Sequence, residues 1–145
     1  MLGLLDKPSM RSRAGELLED LQIGVDVDAK VKYLSGGERQ LVSISRTLLS
    51  DPKIVIMDEP TSALSVEGAE RVLELIERMQ DRGISIVLIS HNLDYVRRAA
   101  DRITVLHQGQ SAGVIDKAYV EREDIVSRML GRTLEDDTGE SPAEI

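Results

Sequence analysis

Three residues of this 145-residue chain have types and spacing suited to phosphate chemistry. Asp58 and Glu59 follow the apolar run Ile54-Val55-Ile56-Met57, and His91 follows a second apolar run from Ile84 to Ile89. A carboxylate at the end of a strand can hold Mg²⁺ through water, because magnesium takes oxygen ligands and keeps part of its hydration shell. A second carboxylate can orient and deprotonate an attacking water. Brought together, the acidic pair and the histidine make a phosphoryl-transfer site; left apart, they are polar residues of solvent-facing loops.

A further stretch, Leu34-Ser35-Gly36-Gly37-Glu38-Arg39-Gln40, stands before an apolar-periodic run through Leu41, Ile44 and Leu48. Ser35 and Glu38 are three apart, the spacing of a reciprocal capping box at a helix start. Gly36 and Gly37 carry no Cβ, so an anion can approach the free N–H groups and the positive end of the helix dipole. Two readings stay open: a phosphate site, or an ordinary capped helix.

The elements that must position these residues follow from periodicity. Ile54 to Met57 is a continuous, β-branched run and reads as a strand covered on both faces. Ala69, Val72, Leu73, Ile76 and Met79 form the stripe of a helix whose wet side carries the i,i+4 pairs Glu67 to Arg71 and Glu74 to Arg78. Ile84 to Ile89 is a second strand, so the unit is strand, helix, parallel strand. Asp58, Glu59 and His91 then leave the carboxyl ends of parallel strands on one edge, where open α/β sheets bind ligands.

Upstream, residues 1 to 8 read as an approach, and Met10, Ala14, Leu17, Leu18 and Leu21 mark a helix that Gly24 ends. A polar connection leads to the capped helix, which runs to about Leu49. Downstream, Asn92 caps a short helix, Ile103 to Leu106 is a strand, and His107 to Gln110 is a turn into a strand at Ala112 to Ile115. His107 serves that turn. Ile125, Met129 and Leu130 suggest a last helix. The expected fold is α/β, with a helical subdomain over residues 1–50, a partial α/β core over 51–116, and a C-terminal helix and acidic tail over 117–145.

Leu34 to Gln40 resembles the signature motif of ABC (ATP-binding cassette) ATPases, Ile54 to Thr61 resembles their Walker B strand, and Ser90-His91 resembles their switch histidine. The three motifs stand in family order. The resemblance implies a P-loop nucleotide-binding domain acting on ATP with Mg²⁺. Asp58 would be the metal-binding carboxylate, Glu59 the catalytic base and His91 the contact to the γ-phosphate. Ser35, Gly36, Gly37 and Glu38 would face a nucleotide held by a second ATPase subunit in a head-to-tail dimer. Ser62, Ala63, Leu64 and Ser65 resemble the D-loop, which meets that partner. Many members carry Asp where this chain has Ser65; serine is commoner in sugar-importer subunits. The resemblance further implies transmembrane permease partners and a place on the cytoplasmic face of the cell membrane.

The formal charge of −8 argues against a nucleic-acid partner. Five acids and no base follow Arg132, which reads as a solvated, disordered tail. No apolar run is long enough to cross a membrane, and Met1 to Leu5 is too short for the apolar region of a secretory signal and lacks a basic segment before it, so the chain is expected to stay in the cytoplasm. The absence of cysteine excludes disulfides and thiolate zinc sites. A P-loop needs Gly-x-x-x-x-Gly-Lys-Ser/Thr, yet none of the eleven glycines is followed by lysine. The chain therefore reads as the C-terminal portion of an ABC ATPase domain, with the Walker A half missing and the sheet short of an interior strand. It is expected to be marginally stable and inactive alone. Three functions remain: the ATP-hydrolysing subunit of an importer, perhaps of sugars; a non-catalytic fragment lending its signature face to an intact partner; or a lobe of a DNA-repair ABC ATPase, which sustained heptads should precede.

Overall fold

Asp6 begins the first helix. In the computed structural model, which describes residues 5–117 and 121–131, its carboxylate accepts the Ser9 N–H at 3.1 Å. Pro8 occupies the first turn of α1 (Lys7–Asp20), where a missing N–H costs nothing. Asp6-Lys7-Pro8 is thus a cap and a first turn, not an approach. The helix stops at Leu21, and Gln22 adopts φ of +53°, so the break comes before Gly24. Arg78 donates to the Leu21 carbonyl at 2.6 Å, which satisfies a group left open by that break.

The chain divides into two compact units, Met1–Ser90 and His91–Ile145. In the first, a 3₁₀ turn at Val31–Tyr33 leads into α2 (Gly36–Leu48), which buries Leu41, Ile44, Ser45 and Leu48. Strand β1 (Ile54–Asp58), helix α3 (Val66–Asp81) and strand β2 (Ser85–Ile89) follow. The strands pair in parallel with Ile56 opposite Val87 and Asp58 opposite Ile89. Helix α3 is the centre of this unit's core: Val72, Leu73, Leu75, Ile76 and Met79 are all buried. By contrast α1 has no buried residue, and only Leu21, at its C-cap, is fully enclosed. Its stripe instead lines a cavity of about 140 Å³ with Ala14, Leu17, Leu18, Val25 and Val42.

One sequence-based expectation is half met. Val55 and Met57 are buried, but Ile54 and Ile56 are exposed, so β1 is covered on one face only. The side chains alternate across the strand, and the described elements of this unit cover one side of it.

In the second unit, α4 (Leu93–Ala99) is capped by Asn92, whose side-chain oxygen accepts from the Asp94 and Tyr95 amides. Strands β3 (Arg102–His107) and β4 (Gln110–Asp116) form an antiparallel hairpin, and α5 (Arg122–Met129) follows. Gln108 and Gly109 have φ of +48° and +78°, the positive pair that a tight two-residue hairpin turn requires. His107 serves more than the turn: its Nδ1 donates to the Met129 carbonyl at 2.7 Å and ties the hairpin to the end of α5. Gly113 leaves the space through which Arg128 donates to the Ala112 carbonyl; a Cβ there would stand 2.0 Å from the guanidinium. Val96, Ile103, Val105, Ile115 and Ile125 make the core.

Among the described residues the strands thus form two two-stranded sheets, one parallel and one antiparallel. The acidic stretch after Arg132, expected to be disordered, lies outside the described residues.

Candidate functional site

The helix start reads from its residues as expected. The Ser35 hydroxyl accepts the Glu38 N–H at 3.2 Å, and Glu38 Oε2 accepts the Ser35 N–H at 2.7 Å. The backbone bond from Ser35, and then its hydroxyl, hold the Glu38 carboxyl below its ordinary range; burial opposes this slightly, and the charge of Arg71 adds to it. Arg39 donates to the Leu34 carbonyl from the next turn.

Gly36 and Gly37 do not have the same surroundings. A Cβ on Gly36 would meet only the Leu64 Cδ2, at 3.9 Å, so that position is open. A Cβ on Gly37 would stand 3.4 Å from the Gly68 Cα, on the backbone of α3. Gly37 therefore lets two helices approach closely, whereas Gly36 leaves the helix start bare. Gly68 is tight in turn: its own Cβ would lie 3.3 Å from the Leu64 Cβ. Ser65 caps α3 by accepting the Gly68 N–H at 3.2 Å, the role a serine can fill where other members carry Asp. The start of α2 and the loop from Ser62 to Ser65 are thereby packed on one another. Spacing gave no sign of this, because it depends on where α2 and α3 cross.

Asp58 ends β1 with an exposed side chain. It lines a cavity of about 190 Å³ with Gln40, Ser43 and Thr47 of α2. Those three polar residues recur at i, i+3 and i+7, a polar stripe that sequence reasoning passed over because apolar periodicity drew attention to the other side of the helix. Glu59 continues the strand pairing, donating its N–H to the Ile89 carbonyl at 2.9 Å. Its φ is +45°, a left-handed conformation that a non-glycine residue adopts at a cost, and its Oε2 is buried. Pro60 does keep Glu59 out of the right-handed helical region, although the result is left-handed rather than extended. The Ser62 hydroxyl and amide both donate to the Glu59 carbonyl, at 3.1 and 3.2 Å, closing the turn beneath it.

His91 opens the second unit, two residues after Ile89, the register partner of Asp58. Within its own unit it lines an open groove with Asn92, Asp94, Arg122 and Met129. The first unit contains Ser35 to Glu38, Asp58, Glu59 and Ser62 to Ser65, and packs the first of these near the last through Leu64, while His91 stands at the first position of the second.

The profile of the ABC transporter family matches residues 4–62. A ribose import ATP-binding protein of Rubrobacter xylanophilus, RbsA 2, is 42% identical over 98% of this chain. A solved ATP-binding cassette of an ABC transporter superposes on 90% of the chain with a TM-score of 0.75 at 26% identity. The chain is part of an ABC transporter ATPase domain. It spans 27% of the Rubrobacter relative and 52% of the solved cassette. A further ABC cassette, solved as a dimer in a post-hydrolysis state bound to ADP and Pi, covers 81% of this chain with a TM-score of 0.64 and 28% identity; 51% of that cassette is covered.

The oxygen donors of this ABC-type domain fit a largely hydrated Mg²⁺. Asp58 offers an exposed carboxylate, and among the described residues no cluster of three or more potential ligands surrounds it. Magnesium is commonly held by one or two carboxylates together with waters and phosphate oxygens, which is the arrangement such a site permits. No helix among the described residues is long and apolar enough to cross a membrane.

Proposed function

We propose that residues 1–145 form the signature-bearing and Walker B-bearing part of the ATP-hydrolysing subunit of an ABC importer, with a sugar as the transported solute. The observation that carries this reading is the 42% identity to a ribose import ATP-binding protein across nearly the whole chain. The capped start of α2 and the carboxylates ending β1 supply the chemistry it needs.

In this reading Asp58 holds Mg²⁺ through water, and the metal neutralises phosphate charge when bound. Glu59 orients the attacking water and takes its proton; its buried Oε2 and closed turn keep the carboxylate in one place. His91 donates to the γ-phosphate. Ser35, Gly36 and the α2 N-terminus face a nucleotide bound by a second ATPase subunit, and Ser62 to Ser65 meet that subunit. Permease subunits hold the pair at the cytoplasmic face of the membrane.

A second reading is favoured by the glycines. Since none of the eleven is followed by lysine, these residues contain no phosphate-cradling loop of the P-loop type. The chain would then lend its α2 start to an intact partner without hydrolysing ATP in its own site. Titration calorimetry with Mg-ATP tests the half-site picture on which both readings rest. Residues 1–145 alone are expected to show no micromolar binding, and such binding would overturn the half-site picture. Hydrolysis by a Walker A-bearing subunit that rises on adding this chain, and rises equally with the Glu59→Gln variant, would favour the second reading.

A further inference from the structure

Glu38 of α2 and Arg71, Glu74 and Arg78 of α3 line one cavity of about 340 Å³ beside the turn that follows α1. Two of these four charged groups are matched to each other. Arg78 donates to the Leu21 carbonyl at 2.6 Å and pairs with Glu74 at 3.5 Å, so its charge is committed there. Arg71 and Glu38 remain. From Nη2, Arg71 donates to Glu67 one turn earlier on α3, at 2.7 Å; a guanidinium carries five N–H donors in a fixed fork, so this bond does not exhaust it. Glu38 uses Oε2 to accept the Ser35 N–H, which leaves Oε1.

The helix crossing brings these two groups near one another. A Cβ on Gly37 would stand 3.4 Å from the Gly68 Cα, where α2 and α3 meet. Glu38 follows Gly37 directly, and Arg71 is three residues beyond Gly68, on the same side of α3. We propose that Arg71 is a positioning residue for the start of α2: anchored on Glu67, its guanidinium restrains the Glu38 carboxylate across the crossing, which steadies the capping box and offsets a negative charge beside the amides that face a phosphate. A phosphate approaching those amides would otherwise meet the Glu38 carboxylate uncompensated. The charge of Arg71 adds to the Ser35 bonds that keep Glu38 ionised, and it is the smaller influence, as expected of a side chain 52% exposed. The restraint rests on the helix crossing and the shared cavity, whereas its value for nucleotide binding rests on the functional reading proposed above.

Amide hydrogen exchange in the 145-residue chain tests the restraint. Arg71→Met keeps a long, helix-forming side chain and removes the charge. The Ser35 and Glu38 amides are expected to exchange about two- to fivefold faster in this variant, the size of one exposed charge pair. The Ile76 and Met79 amides of α3, and the Asp94 and Tyr95 amides at the Asn92 cap, should keep their rates, which separates a local effect from general unfolding. Arg71→Lys should restore most of the protection. Glu38→Gln retains a capping-box residue without its charge, so adding Arg71→Met to it should change little further. An Arg71→Met effect of equal size in the Glu38→Gln background, or undiminished in about 1 M salt, would overturn the proposal. Unchanged exchange in Arg71→Met would do the same, as would Ser35 and Glu38 amides that lack protection in the unsubstituted chain. Added to a Walker A-bearing subunit, the Arg71→Met chain should need about two- to fivefold higher concentration for half-maximal stimulation of hydrolysis. Charge-dependent exchange with no stimulation by either form would support the role of Arg71 at the helix start and count against the functional reading instead.

Discussion

Glu59 occupies a backbone conformation that glycine would adopt freely. At φ of +45° it carries strain of about 1–3 kcal/mol, held in place by the Ser62 bonds to its carbonyl and by its own bond to Ile89. Strain kept at a carboxylate suited to general-base work is consistent with a functional constraint. In the complete ATPase domain, Glu59→Gln is expected to lower turnover by about 10² to 10⁴ while leaving Mg-ATP affinity intact. Steady-state hydrolysis together with equilibrium nucleotide binding measures this, and undiminished turnover would remove Glu59 from the mechanism. Glu59→Gly should likewise end hydrolysis, yet raise the denaturant midpoint of residues 1–145, because glycine adopts this φ without strain. At Ser35, substitution by alanine removes the hydroxyl that accepts from Glu38, a loss of about 1 kcal/mol by urea unfolding. The partner carboxyl of Glu38 is held below its unfolded value, so the stability it contributes is complete above the unfolded pKa and disappears as pH falls through the lower folded one. The capping box was legible because it depends on two residue types three apart. The left-handed Glu59 was not, since Pro60 excludes one backbone region without choosing among the others.

At the scale of elements, the closeness of α2 and α3 decides how the Ser35 start and the Ser62 to Ser65 loop are arranged. Gly37 and Gly68 meet backbone to backbone, and Leu64 fills the space beside them. Gly68→Leu should destabilise the first unit by about 1–3 kcal/mol, because the added side chain must displace Leu64 or part the helices. Urea unfolding of that variant beside Gly83→Ala tests the location of the effect. Gly83 has open space around it but a positive φ, so its cost comes from the backbone and not from packing. The strands, α3 and the hairpin were readable from apolar runs, stripes and turn residues. Helix α1 was readable as a helix but not in its burial, since a stripe at i, i+4, i+7 states which side is apolar and says nothing of what will lie against it.

For the whole molecule, charge and the uncovered sheet face act in opposite directions. Near neutral pH the charge of −8 keeps copies apart, although four large apolar side chains of one sheet face are solvent-exposed. That protection weakens as the pH approaches the isoelectric point of about 4.8. Light scattering of residues 1–145 should therefore rise as pH falls from 7 towards that value, and Ile56→Lys should reduce the rise. Scattering that is independent of both pH and Ile56 would place the aggregating surface elsewhere.

What the sequence determined by itself was local in origin: the helix caps at Ser35 and Asn92, the parallel strands ending at Asp58 and Ile89, and the order of motifs that marks an ABC-type ATPase domain. Each rests on residues close together in the chain, where propensity, periodicity and short hydrogen bonds act alone. Only the tertiary structure decided that Gly37 serves a helix crossing while Gly36 stays open, that Glu59 is left-handed, and that Ile54, Ile56, Val87 and Ile89 of the β1–β2 pair are exposed among the described residues. These depend on which surfaces meet in space, and a periodic pattern specifies a face without specifying its partner.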